Sequence, residues 1–306
     1  MELRELATFR VVARTLNFTQ AARMLGYAQS SVTAQIQSLE ENVGVLLFNR
    51  MGRHVVLTDA GEHLLWYAEK LLDLAEEARA AIAVTDELHG KVTVGAPETI
   101  CTYRLPAVLQ AFKQRAPGAQ IIFKPMSPFE LHRSAREGVI DIGFLLEDPF
   151  ASSALQVERL IVEDILVIAA PDHPLTQCQE VCPRDLEGMS LLLTERGCGY
   201  RTVFERILNT AGVHPVTQLE FTGIEAIKQC VIAGLGIGAL PRITVEQMIN
   251  QGQVCALPWS EPFSVTTQMI WHKDRWLSPA IRAFLEVSRE ILGGNLRQET
   301  AEGLAG

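Results

Sequence analysis

The chain has 306 residues, 48% of them apolar, and a formal net charge of −9, enough for two or three domains with a sizeable core. No run of about 18 or more apolar residues appears, which argues against a membrane span. The N-terminus has no basic stretch leading to a small-residue cleavage site, so no secretory signal is expected and the cytoplasm is the expected location. Cysteines at 101, 178, 182, 198, 230 and 255 are too scattered for a disulfide framework and are expected as thiols.

The charge is unevenly spread. Residues 1–58 hold six Arg against four Glu, a balance of +2, while the remainder carries −11. That asymmetry suits a protein that meets phosphate at one end only, though it is a weak signal alone.

In chain order, Leu3, Leu6, Phe9, Val12 and Ala13 repeat at helical spacing. After a break at Asn17-Phe18, Thr19 is the expected N-cap of a short helix that Gly26 ends. A further helix is expected from Gln29 or Ser30 to Glu41 with Val32, Ile36 and Leu39 inward. Two short helices joined by a tight glycine turn form a helix-turn-helix. Phe18, Ala21 and Ala22 join Val32 and Ile36 as expected core. Residues 48–58 read as a β-hairpin wing with Arg50 and Arg53 around Gly52, and Thr58 caps a long helix. On that helix Leu64, Ala68, Leu71, Ala75, Ala78 and Ile82 step by four and three, a heptad seam that predicts pairing with a second copy of the chain.

His89-Gly90 ends the helix. Strand patterns follow near 91–96, 120–124, 140–146, 165–170, 190–194, 218–222, 236–240 and 265–271. Helical patterns lie between them at 105–114, 130–137, 201–211, 225–233, 243–250 and 279–292. Such alternation predicts α/β architecture, and its length predicts two lobes.

The first 58 residues closely resemble the LysR-type transcriptional regulators. The resemblance rests on Leu6-Ala7-Thr8-Phe9, Asn17-Phe18-Thr19-Gln20-Ala21-Ala22, Ser31-Val32-Thr33-Ala34-Gln35-Ile36, Leu39-Glu40, Gly44, Leu47-Phe48, Arg50 and Leu57-Thr58-Asp59-Ala60-Gly61, in matching order and spacing. Ala233-Gly234-Leu235-Gly236-Ile237-Gly238-Ala239-Leu240-Pro241 extends it towards the C-terminus. It implies an α/β multidomain protein: a winged helix-turn-helix at 1–58, a dimerising linker helix at 59–89, and a two-lobed effector domain similar to periplasmic binding proteins at 90–306. Lobe I is expected at 91–163 and 267–293, and lobe II at 164–266.

The implied partners are double-stranded operator or promoter DNA, a small-molecule effector, and further copies of the chain as a homodimer or homotetramer. RNA polymerase is a partner that a promoter-acting regulator can meet; no membrane, cofactor or metal is expected. Base and phosphate contacts are expected from Gln29, Ser30, Ser31, Thr33, Ala34 and Gln35 on the recognition helix and from Arg50 and Arg53 on the wing. Many relatives carry Pro where this chain has Ser30 and a basic residue where it has Ala34, which leaves operator preference open.

The effector is expected at the C-terminal ends of parallel strands, where helix N-termini favour an organic anion. The loops so placed are 97–102, 126–129, 145–147, 196–201 and 222–224. The residues singled out in them are Glu98, Thr99, Ile100, Cys101, Ser127, Phe129, Leu145, Cys198, Gly199, Tyr200, Arg201 and Thr222. In the family a Ser or Thr soon after the first strand often meets a carboxylate, and Thr99 holds that place. Glu98 sits awkwardly with an anionic ligand unless it points away or the ligand carries a cationic group.

The alternative is a thiol-based redox sensor of the same fold. Cys101 and Cys198 could face one cleft, with Arg196 and Arg201 lowering a thiol pKa. Peroxide-sensing relatives, however, pair two cysteines nine apart in this region, and position 207 is Ile. Cys178, Cys182 and His173 lack a second pair for a metal set. No nucleophile elbow, P-loop, HExxH or strand-then-helix GxGxxG appears, so an enzyme fused to a DNA-binding module is the less favoured alternative.

Overall fold

The computed structural model describes residues 1–51, 54–82, 88–214 and 217–293. The chain divides into two units, residues 1–85 and 86–306.

The first unit opens with α1 (Leu3–Thr15), α2 (Phe18–Leu25) and α3 (Gln29–Val43), followed by strands β1 (Phe48–Met51) and β2 (His54–Leu57) and the long helix α4 (Asp59–Ile82). Leu6, Phe9 and Val12 form the inward stripe of α1. They meet Phe18, Ala21 and Ala22 of α2 and Val32, Ile36 and Leu39 of α3 in one core. The ring of Phe48 closes it, 5.4 Å from Phe9 and 5.8 Å from Phe18, in the tilted and edge-on geometries that aromatic pairs favour. Gly26 takes φ 68° where the chain turns between α2 and α3, a conformation nearly free of cost only for glycine.

The cap of α2 differs from expectation. Asn17, not Thr19, has the extended backbone of an N-cap, and its side chain accepts from the Gln20 amide at 3.0 Å. Thr19 lies within the first turn and donates to Gln29 Oε1 at 3.1 Å instead. The wing is tied to α3 through Glu40, whose Oε1 accepts from the amides of Leu47 and Phe48 at 2.8 and 3.2 Å. Gly52 and Arg53 lie outside the described residues. Thr58 caps α4, accepting from the Gly61 amide at 3.0 Å.

The seam read along α4 is divided. Leu64 and Ala68 turn into the unit's own core with Leu65 and Leu72. Tyr67, Leu71, Leu74 and Ala78 form the outward apolar row, while Ile82 carries no described side chain. A helix docked against α1 spends one stripe there, so the free stripe is rotated from the one that spacing suggests.

The second unit runs β3 (Gly90–Ala96), α5 (Glu98–Tyr103), α6 (Leu105–Arg115), β4 (Ala119–Pro125), α7 (Pro128–Arg136), β5 (Ile142–Glu147), β6 (Leu155–Ala169), β7 (Ser190–Thr194), α8 (Gly199–Thr210), β8 (Thr217–Phe221), α9 (Ile224–Ile232), β9 (Ile237–Pro241), α10 (Arg242–Asn250), β10 (Cys255–Ala256), β11 (Phe263–His272) and α11 (Pro279–Leu292). The sheet order is β4-β3-β5-β11-β6-β9-β7-β8, with β10 beside β6. At one end β4, β3 and β5 are parallel; at the other β9, β7 and β8 are parallel; β11 and β6 join them antiparallel.

β6 begins ten residues before the strand read at 165–170. Its first ten residues carry the polar Gln156 and the charged Glu158, Arg159, Glu163 and Asp164, which hide a strand whose apolar alternation is incomplete. It pairs with β11 from Leu155 to Ile165, with a register shift between Thr267 and Gln268. Near one end of this ribbon, opposite Val265, Glu163 is buried. Arg104 Nε and Nη2 bind its two oxygens at 2.7 and 2.6 Å, and the Thr267 hydroxyl donates to it at 3.2 Å. α5 was expected as loop; at six residues it is too short for periodicity to reveal. α11 returns to the β3 end of the sheet, where Phe284 meets Phe112 at 5.1 Å and Phe144 at 6.4 Å. In the other half Phe204 stacks on Phe263 at 5.8 Å.

Phe9→Ala removes a fully buried ring from the first unit and is expected to destabilise that unit by about 3–5 kcal/mol. Hydrogen exchange on the intact chain should show α1–α3 amides exchanging faster while those of the large sheet keep their protection. Unchanged protection in α1 would show that the ring does not hold the unit together.

Candidate functional site

Two surfaces gather the residues expected from sequence to read DNA and to hold a ligand. On α3 the buried stripe of Val32, Ile36 and Leu39 leaves Ser30, Ala34 and Gln37 on the opposite, exposed side, with Gln29 and Ser31 exposed at the helix start. Thr33 is half-buried and donates to the Gln29 carbonyl at 3.0 Å. Gln35 is also half-buried, and its Oε1 accepts from the Thr8 hydroxyl at 2.7 Å. Its side-chain oxygen is thereby engaged by α1, as that of Gln29 is by Thr19 of α2. Gln37 extends the exposed row one turn beyond Ala34, outside the set expected from sequence. The N-cap position of α3 is Ala28, which has no side chain to cap it. Arg50 lies on β1 without a described side chain, and Arg53 lies outside the described residues.

In the second unit a cleft of about 70 Å³ opens at the C-terminal ends of the parallel strands. Pro97, Glu98 and Thr99 follow β3; Met126 and Pro128 follow β4; Leu146 belongs to the end of β5. From the other half come Thr194 and Glu195 at the end of β7, Cys198, Gly199 and Tyr200 at the start of α8, and Thr222 and Ile224 around the start of α9. Gly199 lets α8 approach β5 closely, since a Cβ there would collide with the Leu146 carbonyl oxygen and the Glu147 backbone. No side chain caps α8, whose N-cap is Cys198. Glu98 reaches across to α9, accepting from the Ile224 amide at 3.4 Å.

Of the residues read from sequence, Glu98, Thr99, Cys198, Gly199, Tyr200 and Thr222 come together in this lining. Ile100 and Leu145 are buried on other sides of their elements, Leu145 in a separate apolar cluster with Leu131 and Ile270. Ser127 caps α7, Phe129 is exposed, and Cys101 turns its Sγ to the Ala96 carbonyl at 3.4 Å.

Arg201 departs furthest from expectation. It is buried, and its guanidinium binds Glu205 and Glu220 at 2.8 Å each and the Thr194 carbonyl. Its charge ties α8 to β7 and β8 and does not face the cleft; it holds the Glu220 carboxyl below its ordinary range. Thr194 and Glu195 were missed because they read as the tail of a strand, although a strand's C-terminal end is where such clefts draw their walls.

Cys101 and Cys198, the two thiols expected at the cleft, are held in the protonated form. Burial pushes Cys101 up to about 11 and raises Cys198 too, while the Tyr200 hydroxyl is held well above the usual phenol range, again by burial. Arg201, expected to lower a thiol, is already paired, and Arg196 sits beside Glu220.

Two family models match: the bacterial regulatory helix-turn-helix protein, lysR family, over residues 3–62, and the LysR substrate binding domain over residues 85–293. The chain belongs to the LysR family of transcriptional regulators. It is thus a DNA-binding regulator with a helix-turn-helix in its first unit and an effector-binding domain in its second. Among LysR-type relatives, the uncharacterized HTH-type transcriptional regulator YwqM of Bacillus subtilis is 46% identical, over 95% of this chain and 99% of that protein. GltR of the same organism is 32% identical, over 95% and 97%. A full-length OxyR variant from Pseudomonas aeruginosa superposes with a TM-score of 0.71 at 26% identity, over 94% of this chain and 95% of that one.

The raised thiols set a pH dependence for this LysR-type domain. Between the ordinary cysteine value of 9.0 and about 11 the unfolded chain releases a proton that folded Cys101 keeps. Its contribution to stability is therefore complete below pH 9 and is lost as pH rises towards 11; Cys198 and Tyr200 act in the same direction. Urea midpoints across that window should fall, and fall less in Cys101→Ala. A Cys101→Ala curve parallel to the parent's would show that this thiol titrates normally.

Proposed function

We propose that this regulator reads its operator through the exposed start of α3 and the Arg50 and Arg53 wing, and that a small molecule held in the cleft of the second unit controls that binding. The boundaries proposed are those of the sequence reading: DNA binding in 1–58, the linker in 59–89 and the effector domain in 90–306. Within the last, lobe I is 91–163 with 267–293 and lobe II is 164–266. The observation that carries the effector reading is the cleft itself. It lies at the ends of strands from both halves of the sheet, and α8 points an uncapped N-terminus at it. Unsatisfied helix N–H groups attract an anionic group, and the Thr99 hydroxyl beside them supplies a further hydrogen bond.

A ligand touching both halves favours one arrangement of the lobes, and it shifts the equilibrium only by its differential affinity for the two arrangements. Two chains paired through the outward row of α4 would present two recognition helices to a two-fold operator. Pairing of effector domains would extend this to a tetramer that ligand rearranges, changing the DNA bend and the access of RNA polymerase. The cleft binds without turnover in this reading, and the protein works in the cytoplasm.

A thermal-shift and calorimetric screen against small metabolites, with recovery of each hit chemically unchanged, tests the cleft. Thr99→Val should weaken a hit about tenfold, the value of one hydrogen bond to a charged group, and Gly199→Ala should abolish it by driving α8 from β5. A hit indifferent to both places the ligand elsewhere. On the DNA side, Arg50→Ala and Arg53→Ala should each reduce the slope of log affinity against log salt by about one. An unchanged slope removes that arginine from the phosphate contacts.

A further inference from the structure

The charges of the cleft wall are one-sided. Glu98 and Glu195 both line it, and among the described residues no Lys, Arg or His does. Glu195 makes no side-chain hydrogen bond or ion pair among the described residues. Glu98 holds only the long contact to the Ile224 amide. The nearby buried cation, Arg201, is already matched by Glu205 and Glu220. A plain organic anion entering here would meet two carboxylates with no side-chain cation to offset them.

The opposite requirement is also built in. Thr194 is only 6% exposed and lines the cleft, yet its Oγ1 has no hydrogen-bond partner. The Cys198 thiol and the Tyr200 hydroxyl lie close enough to interact with it electrostatically, yet no contact around Oγ1 reaches hydrogen-bond geometry. Buried hydroxyls are rarely left so. This one stands beside the uncapped start of the twelve-residue α8, where a carboxylate would collect both the hydroxyl and the helix amides. The remaining surface is small and apolar, from Met126, Leu146 and Ile224.

We propose that the effector is a compact zwitterion of the amino-acid type. Its carboxylate sits at Thr194 and the start of α8, and its protonated amine faces Glu98 and Glu195. This inference rests on the reading of the cleft as the effector site. It departs from the organic anion that helix N-termini alone suggest.

The test uses the full chain and the coded L-amino acids, each compared by thermal shift and calorimetry with the carboxylic acid lacking its amine and with the amine lacking its carboxylate. The expected result is at least one amino acid that binds while both truncated forms bind about tenfold or more weakly, as loss of a charge-assisted contact requires. Combined Glu98→Gln and Glu195→Gln substitutions should weaken the amino acid about tenfold and strengthen the desamino acid. Both side chains reach solvent, so the variant is expected to fold, and a circular dichroism spectrum and cooperative thermal melt of the ligand-free variant check this.

A desamino acid that binds as tightly as its parent, and is still lost in Thr99→Val, overturns the zwitterion and leaves the cleft standing. An amino acid whose binding ignores Thr99→Val and both Glu substitutions overturns the cleft reading and this inference with it. A panel with no binder overturns the inference.

Discussion

The buried carboxylate of Glu163 is the point on which the second unit turns. It lies on the β6–β11 ribbon that joins the two parallel halves of the sheet. A charge there is tolerable only if it is fully answered. The Arg104 guanidinium does so with two parallel bonds and Thr267 adds a third. Arg104 stands at the junction of α5 and α6, directly after the segment that carries Glu98 and Thr99. The same ion pair that makes a charged ribbon foldable thus sets the position of one wall of the cleft. Strand geometry, helix placement and ligand-facing side chains are coupled through one desolvated pair.

The other wall depends on a different close approach. α8 can reach the end of β5 only because position 199 has no side chain. Arg201, two residues further on, then anchors that helix to β7 and β8 through Glu220 and the Thr194 carbonyl. Its charge is structural, which is why the cleft is left with the carboxylates of Glu98 and Glu195 and no opposing cation among the described residues.

Much of this was legible in sequence, and what was not has identifiable causes. Apolar spacing marked α1–α3, because a small helical unit must turn Leu6, Phe9, Val32 and Ile36 inward and has few ways to do so. Strand–helix alternation located the loops at the strand ends, and six of the twelve residues chosen from them meet in the lining. Those that do not were misassigned by side-chain direction: Leu145 and Leu146 are neighbours in β5, and strand geometry sends them to opposite faces. Arg201 could not be read because its partner Glu220 is nineteen residues away. The first half of β6 was hidden by its charges, and the α4 seam was rotated by contacts with α1 that periodicity cannot anticipate. Asn17 and Thr19 are both good caps, and only the backbone turn at 17 decides between them.

Ala28 at the head of α3 has a consequence of its own. A Ser or Asp at that position would satisfy one first-turn amide within the chain, for a gain of about 1 kcal/mol. With Ala28 the amides of Gln29 and Ser30 have no carbonyl ahead of them and no cap of their own. The helix proposed to face the operator is thus left incomplete at the end where its dipole is positive. In that reading a phosphate of the duplex would act as the missing cap, and part of the stability of this helix would come from the DNA.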